Sequence, residues 1–319
     1  MSDADADATA DGTPVVVKIG GARAVDPAGA AADVAALAGG SGGGEDEAAD
    51  ETGDGDGAGD GGTDVVVVHG GSTAVDDLLS RLGIEPEYVE TPAGVTGRFT
   101  DEETMEAFTM AMSRVNTDLV ATLREAGADA LGLSGVDGGL LTGARKSAVR
   151  VIEDGKRKIR RGDHSGTIDR VNADLLETLL ADGYTPVVGP PMLADDGVPV
   201  NTDADRAAAA VAGALGARLV LLTDVAGVYT DPADPDTRID RVTSPGGFDD
   251  LADAAEGFMG RKVMAVREAL EGGAAAAVVA SANADAPVRA ALGGDGTTVT
   301  RAAVSADADD GVEADGGAR

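Results

Sequence analysis

Two short runs carry residue types that can hold an anion. Lys18-Ile19-Gly20-Gly21 closes the apolar run PVVVKI, and His69-Gly70-Gly71 follows VVVV at 65–68. Both read as β-strands that end in a glycine pair. Paired glycines at a strand's carboxyl end let backbone N–H groups face an anion with no side chain in the way. One pair alone makes a tight strand-to-helix turn. Two pairs, one of them led by Lys18, point to a phosphate site. The sequence has neither GxxxxGK[ST] nor a GxGxxG after a strand, so a nucleotide here is held by other parts.

Three further stretches carry candidate groups. Asn201-Thr202-Asp203-Ala204-Asp205-Arg206 precedes an Ala-rich helix. Helix capping accounts for one of the two aspartates but hardly for both together with Asn201. LLTDVAGVYTDP at 221–232 leaves a buried strand through Thr223-Asp224 and reaches Val228-Tyr229; a plain turn explains it nearly as well. Gly257-Phe258-Met259-Gly260-Arg261-Lys262 opens a helix predicted over 261–271 and puts Lys262 in its first turn. A cation there opposes the helix dipole unless it has other work.

The elements that must position these groups follow from the hydrophobic pattern. Short apolar runs at 14–19, 65–68, 130–133, 186–188, 218–223 and 276–280 alternate with helical spacing over 26–38, 73–82, 101–126, 171–182, 203–215, 248–256, 261–271 and 286–292. That alternation predicts an α/β fold with a mainly parallel sheet, and strands this apolar are buried on both faces. Residues 39–64 hold eleven Gly and nine Asp or Glu with no large apolar side chain. They read as a flexible acidic loop, and 1–13 and 302–319 as disordered tails of the same kind.

With 25 Lys plus Arg against 57 Asp plus Glu, the 319-residue chain has a formal net charge of −32. That disfavours binding to nucleic acid or an anionic membrane; such a composition is expected of a halophilic protein that stays hydrated in concentrated salt, with an ordinary acidic cytosolic protein as the plain alternative. The absence of cysteine excludes disulfides and thiolate metal sites. No apolar run is long enough to span a bilayer, and the first residues are acidic where a signal peptide is basic, so a soluble cytoplasmic protein is expected. One segment runs against this composition. Nine of the 25 basic residues lie between Arg145 and Arg170, in a pattern that reads as a β-hairpin turning at Asp154-Gly155.

KIGG, VVVHGGS, GRFTD, NTDADRAA, LLTDVAGVYTDP, GFMGRK and GTTV occur in the order and approximate spacing of the amino acid kinase superfamily, and most resemble its N-acetylglutamate kinase branch. The resemblance covers about 14–300, with 39–64 as an insertion. It implies a three-layer αβα sandwich with a substrate lobe over 14–185 and an ATP lobe over 186–301, and phosphoryl transfer from ATP, accompanied by Mg²⁺, to a carboxylate. It further implies that Lys18 and Lys262 neutralise the transferring phosphoryl group and that Asp205 holds both lysines. Gly20 and Gly21 would face the phosphates, and Gly70 and Gly71 the reacting carboxylate. Arg98 of GRFTD and Asn201 would bind the substrate's other polar end; Thr223, Asp224, Val228 and Tyr229 match the nucleotide turn. His69 is expected to be structural. Members of the family usually form at least homodimers.

Within this branch, GRFTDEETMEAF and the basic hairpin look most like kinases of aminoadipate or glutamate attached to an amino-group carrier protein, LysW. The carrier is small and very acidic, and Lys146, Arg150, Lys156, Arg157, Lys158, Arg160 and Arg161 offer it a docking patch. A solvated charged face is the plain alternative. A kinase of free N-acetylglutamate is the near alternative, and a non-catalytic sensor a remote one, since both lysines are present. Glutamate and aminoadipate differ by one methylene, which pockets discriminate weakly.

Overall fold

The computed structural model describes residues 12–20, 27–39, 62–92, 96–153 and 155–305. In chain order its elements are β1 (Val15–Ile19), α1 (Pro27–Ala38), β2 (Val65–His69), α2 (Ser72–Leu82), β3 (Tyr88–Glu90), β4 (Thr96–Arg98), α3 (Glu102–Glu125), β5 (Ala130–Gly135), β6 (Leu141–Glu153) and β7 (Lys156–Val171). There follow α4 (Ala173–Ala181), β8 (Thr185–Ala194), β9 (Pro199–Val200), α5 (Ala204–Ala214), β10 (Arg218–Thr223), β11 (Arg241–Val242), α6 (Pro245–Ala254), α7 (Gly257–Glu271), β12 (Ala276–Ser281), α8 (Pro287–Leu292) and β13 (Thr297–Thr300).

One large sheet runs β11-β13-β12-β10-β1-β2-β8-β6-β7, with β5 and β9 also paired to β8. Within this run β12, β10, β1, β2 and β8 are parallel to one another. Antiparallel pairing enters at β13, at β9 and in the β6–β7 hairpin. The expected mainly parallel α/β sheet is therefore present.

Strand parity divides the core. Val16, Val66, Val68, Leu219 and Leu221 pack on one side with Ala207, Ala208 and Val211 of α5 and Val263 and Val266 of α7. Val15, Val17, Ile19, Val65, Val67, Val220 and Leu222 pack on the other with Ala31 and Val34 of α1, Leu119 and Leu123 of α3, and Val288 of α8. Successive strand residues point to opposite faces, so the run VVVKI feeds both layers at once. This is the three-layer sandwich.

Several expectations need adjustment. The helix predicted from Arg261 begins at Gly257, so Lys262 lies in the second turn, beyond the strongest part of the helix dipole. The strand predicted over 186–188 extends to Ala194 through Pro190 and Pro191. The tail predicted from 302 is ordered at its start: Arg301–Ala303 forms a 3-10 turn and Ala303 is buried in the core. Residues 1–11, most of the 39–64 loop, Gly21 and Asp154 lie outside the described residues.

Candidate active site

Lys18 is one residue from the end of β1, with the parity of Val16, so its side chain enters the layer occupied by α5 and α7. There its Nζ lies 2.7 Å from Asp205 Oδ1, and Lys262 Nζ lies 3.0 Å from Asp205 Oδ2. The Lys262 contact is a well-aligned hydrogen bond. The Lys18 contact is an ion pair off the hydrogen-bonding direction, which leaves Oδ1 without an aligned donor. Side-chain exposures are only 8%, 13% and 13% for Lys18, Lys262 and Asp205. Burial opposes ionisation of Asp205, but the charges of Lys18 and Lys262 outweigh it and hold the carboxyl below its ordinary range. Two buried ammonium groups on one carboxylate leave a net positive charge at the carboxyl edge of the parallel strands, where open α/β sheets take their ligands.

The two aspartates of NTDAD divide their work. Asp203 caps α5, its Oδ1 accepting from the N–H groups of Asp205 and Arg206, and this leaves Asp205 free for the lysines. Gly20 continues from β1, half-buried beside this cluster in sequence.

The second glycine pair has a packing reason. A Cβ on Gly70 would stand 3.2 Å from Ala204 Cβ in the first turn of α5, and one on Gly71 would stand 2.9 Å from Met112 Cε of α3. The bare backbone thus lets β2 and the start of α2 sit tightly between α5 and α3. His69 has the parity of Val65 and Val67 and faces α3, where Asn116 Nδ2 lies 3.0 Å from its Nε2 and also donates to Val187 O at 2.9 Å. That orientation leaves the imidazole proton on Nδ1, toward Gly70 O. Burial lowers the His69 pKa to about 4; the Gly70 carbonyl opposes the shift and the nearby Lys18 charge adds to it. His69 is therefore a neutral structural group near neutral pH, as its sequence position predicts.

Arg98 ends β4 of a two-stranded ribbon that the sequence pattern did not reveal. Its guanidinium is held by Asp76 of α2, by Ser72 O and Oγ at 3.2 Å, and by Tyr88 OH at 3.0 Å. The Tyr88 hydroxyl in turn donates to Asp76 Oδ2 at 2.9 Å. Asp76, Ser72 and Tyr88 lie close to Arg98 only through tertiary structure, so no local signal marks them. Asp101 of GRFTD caps α3 by accepting from Thr104 N. Asn201 Nδ2 donates to Thr100 Oγ1 at 3.1 Å, which places Arg98 and Asn201 on one short segment of structure.

Thr223 and Asp224 stand at the end of β10, whose partner strands are β1 and β12, on the same edge as Lys18. The Thr223 hydroxyl donates to Asp224 Oδ1. Val228 is buried in the core with its N–H on Thr297 Oγ1 at 2.8 Å, and Tyr229 bridges to Arg238.

The basic hairpin forms as predicted, with Gly155 at positive φ in its turn. Its charges separate by face. Val149↔Arg160 and Val151↔Lys158 share one face; Arg150↔Ile159, Ile152↔Arg157 and Ala148↔Arg161 share the other. On the first, Arg160 makes a two-pronged ion pair with Glu87 and lies 4.4 Å over the Phe99 ring, and Lys158 pairs with Glu153. On the second, Arg150, Arg157 and Arg161 are exposed around Ile159, which is 67% exposed. These three arginines, with Lys146 and Lys156, make no ion pair among the described residues.

The chain belongs to the amino acid kinase family, which it matches over residues 13–281. It is 38% identical over 292 residues to a [LysW]-aminoadipate kinase of Thermus thermophilus, covering 89% of this chain and 99% of that one. It is 46% identical over 220 residues to an acetylglutamate kinase of Methanopyrus kandleri, covering 68% and 85%. Among solved structures it resembles N-acetylglutamate synthase from Neisseria gonorrhoeae complexed with coenzyme A and N-acetyl-glutamate, with a TM-score of 0.66 and 24% identity; the match covers 90% of this chain and spans 59% of the synthase. Carbamate kinase from Giardia lamblia bound to AMP-PNP aligns with a TM-score of 0.58 at 15% identity, covering 91% and 98%. These structural likenesses show the fold. Among the described residues no helix is long and apolar enough to cross a membrane.

Proposed function

We propose that the chain transfers the γ-phosphoryl group of ATP to the side-chain carboxylate of glutamate or 2-aminoadipate carried on an acidic amino-group carrier protein, giving an acyl phosphate for arginine or lysine biosynthesis. The observation that carries this reading is the Lys18–Asp205–Lys262 cluster at the carboxyl edge of the sheet. A carboxylate oxygen attacks the γ-phosphorus, the bond to the β–γ bridging oxygen breaks, and ADP leaves with the electron pair. The acceptor is already ionised at neutral pH, so the protein needs no base. Its task is charge neutralisation and alignment, with Lys18 and Lys262 flanking the moving phosphoryl group and Asp205 fixing the spacing between them.

In this reading Gly20 and Gly21 face the phosphates, Gly70 and Gly71 approach the acceptor carboxylate, and Arg98 and Asn201 hold its other end. Thr223 to Tyr229 line the nucleotide, with 14–185 as the substrate lobe and 186–301 as the ATP lobe. In this reading a Mg²⁺ ion arrives with ATP, held largely by phosphate oxygens and water. Such an ion would neutralise phosphate charge alongside the lysines.

The outward hairpin face supports the carrier-linked acceptor. Arg150, Arg157 and Arg161 around an exposed Ile159 combine charge with an apolar contact, which suits a small acidic protein. In concentrated salt the screening length falls to roughly 3 Å, so contact pairing there outweighs long-range steering. The acetylglutamate kinase relative supports a second reading, in which the acceptor is the free N-acetylated amino acid.

An ATP-dependent hydroxamate assay in molar KCl separates the two, using free N-acetylglutamate, carrier-linked glutamate and carrier-linked aminoadipate. Turnover confined to carrier-linked acceptors is expected, with Arg157→Glu/Arg161→Glu raising KM for the carrier. Turnover of free N-acetylglutamate alone overturns the carrier reading; turnover of none overturns the kinase assignment.

A further inference from the structure

Asp163 is a buried carboxylate, 3% exposed, with no cationic partner among the described residues. Buried carboxylates are costly unless paired, and nothing in the hairpin's own pairing requires this one. Its position comes from a bulge in the ladder. Lys146 pairs with Ser165 and Ala148 with Arg161, so Ser147 alone stands opposite Gly162, Asp163 and His164. Gly162 takes φ +88 with nothing within 4 Å of where a Cβ would be, so glycine is needed there for its backbone conformation rather than for space. Strict alternation would put Asp163 on the outward face with Arg161. The bulge turns it inward, a use of bulges that recurs beside active sites.

The inward turn brings three contacts onto one residue. Asp163 Oδ1 accepts from Thr100 N at 3.2 Å, His164 N donates to Thr100 O at 2.6 Å, and Asn201 Nδ2 donates to Thr100 Oγ1. Asn201 N also donates to His164 O at 2.8 Å, and Gly166 N to Asn201 O at 2.8 Å. Ser165 Oγ donates to Asp163 Oδ2. Thr100 is fully buried and stands two residues after Arg98. The same strand therefore presents Arg157, Ile159 and Arg161 outward and, a few residues on, fixes both Arg98 and Asn201 through Thr100.

We propose that Asp163, set inward by the Gly162 bulge, is a positioning residue for the acceptor: it holds Thr100 so that Arg98 and Asn201 keep the register in which they grip the substrate's non-reacting end. This rests on the reading that Arg98 and Asn201 bind the acceptor. Asp163 touches neither substrate nor phosphate and acts through Thr100 alone.

The test is steady-state kinetics of the full chain with the acceptor and ATP varied separately, well below the unfolding temperature of each variant. Asp163→Ala is expected to raise the acceptor KM or lower kcat on the order of tenfold to a hundredfold, while ATP KM stays within about twofold. Asp163→Asn, whose amide oxygen still accepts from Thr100 N–H, is expected to recover most of that loss. Should Asp163→Ala fail to fold, Asp163→Ser carries the test: its hydroxyl ends one bond short of the carboxylate oxygen that accepts from Thr100 N, so the same rise in acceptor KM is expected. A lowered unfolding temperature with kcat and both KM values unchanged overturns the proposal. Arg98→Ala and Asn201→Ala are measured alongside. If they raise the acceptor KM and the Asp163 variants do not, the positioning role alone is wrong; if they too leave it unchanged, the substrate reading falls and this proposal with it.

Discussion

His69 gives the account a quantitative handle on pH. Its imidazole is buried at 2% exposure, and its pKa falls from 6.5 to about 4. Above pH 6.5 the ring is neutral in both folded and unfolded chains. As pH falls below that value the unfolded chain binds a proton that the folded chain refuses, so stability is lost progressively down to pH about 4. The shift corresponds to a loss of about 3 kcal/mol, at a slope of at most about 1.4 kcal/mol per pH unit. His69→Gln isolates the effect, because its amide oxygen can still accept from Asn116 while the side chain no longer titrates. The carboxylates titrate in both proteins and cancel in the difference. The chain has no tryptophan, so urea unfolding is best followed by far-UV circular dichroism at constant salt. The gap between native and variant stability should shrink by about 3 kcal/mol between neutral pH and pH about 4. A gap that changes by less than about 0.5 kcal/mol would refute the buried neutral imidazole.

Three other perturbations probe the frame around the site. Asp205→Asn leaves two buried ammonium groups without their counter-charge, and should cost about 3 kcal/mol in urea unfolding as well as most of the activity. Gly70→Ala and Gly71→Ala should part company. The first presses on Ala204 beside Asp205 and should act mainly by lowering kcat, whereas the second also presses on Met112 and should cost about 1 kcal/mol of stability in addition to activity. Asp33, buried on α1, accepts from Val288 N at 2.7 Å and Arg289 N at 2.8 Å and so caps α8 from a distant element. Asp33→Ala should destabilise by about 2 kcal/mol with unchanged kinetics.

What the sequence disclosed depended on whether the signal was local. VVVKI and VVVV mark β-strands by themselves, but being apolar throughout they do not say which face each residue takes; the register of β1 on β2, Lys18↔Val68 and Ile19↔His69, is what puts Lys18 and His69 on opposite layers. NTDAD announces a helix start, with one aspartate more than a cap needs. The basic hairpin is written in its turn and its alternation. The ribbon of β3 and β4 is three residues on each side and offers no apolar run, so the partners of Arg98 stayed hidden. Pro190 and Pro191 read as strand breakers, yet β8 continues through them at the end of the sheet. Gly257 and Gly260 masked the first turn of α7, where tertiary packing outweighs their poor helix propensity. Asp163 and Asp33 take their meaning from residues 63 and 255 positions away, a relation no periodicity records. The glycine pair at Gly70-Gly71 was legible as an unusual feature, but its close packing against Ala204 and Met112 belongs to the fold.

The most direct test of the central claim is single-turnover acyl phosphate formation by Lys262→Met, with ATP dissociation measured in parallel. Removing a charge that acts on the moving phosphoryl group should slow the chemical step roughly a hundredfold to a thousandfold. ATP affinity should change far less. A variant that forms acyl phosphate at nearly the native rate would show that the Lys18–Asp205–Lys262 cluster stabilises the fold rather than the reaction.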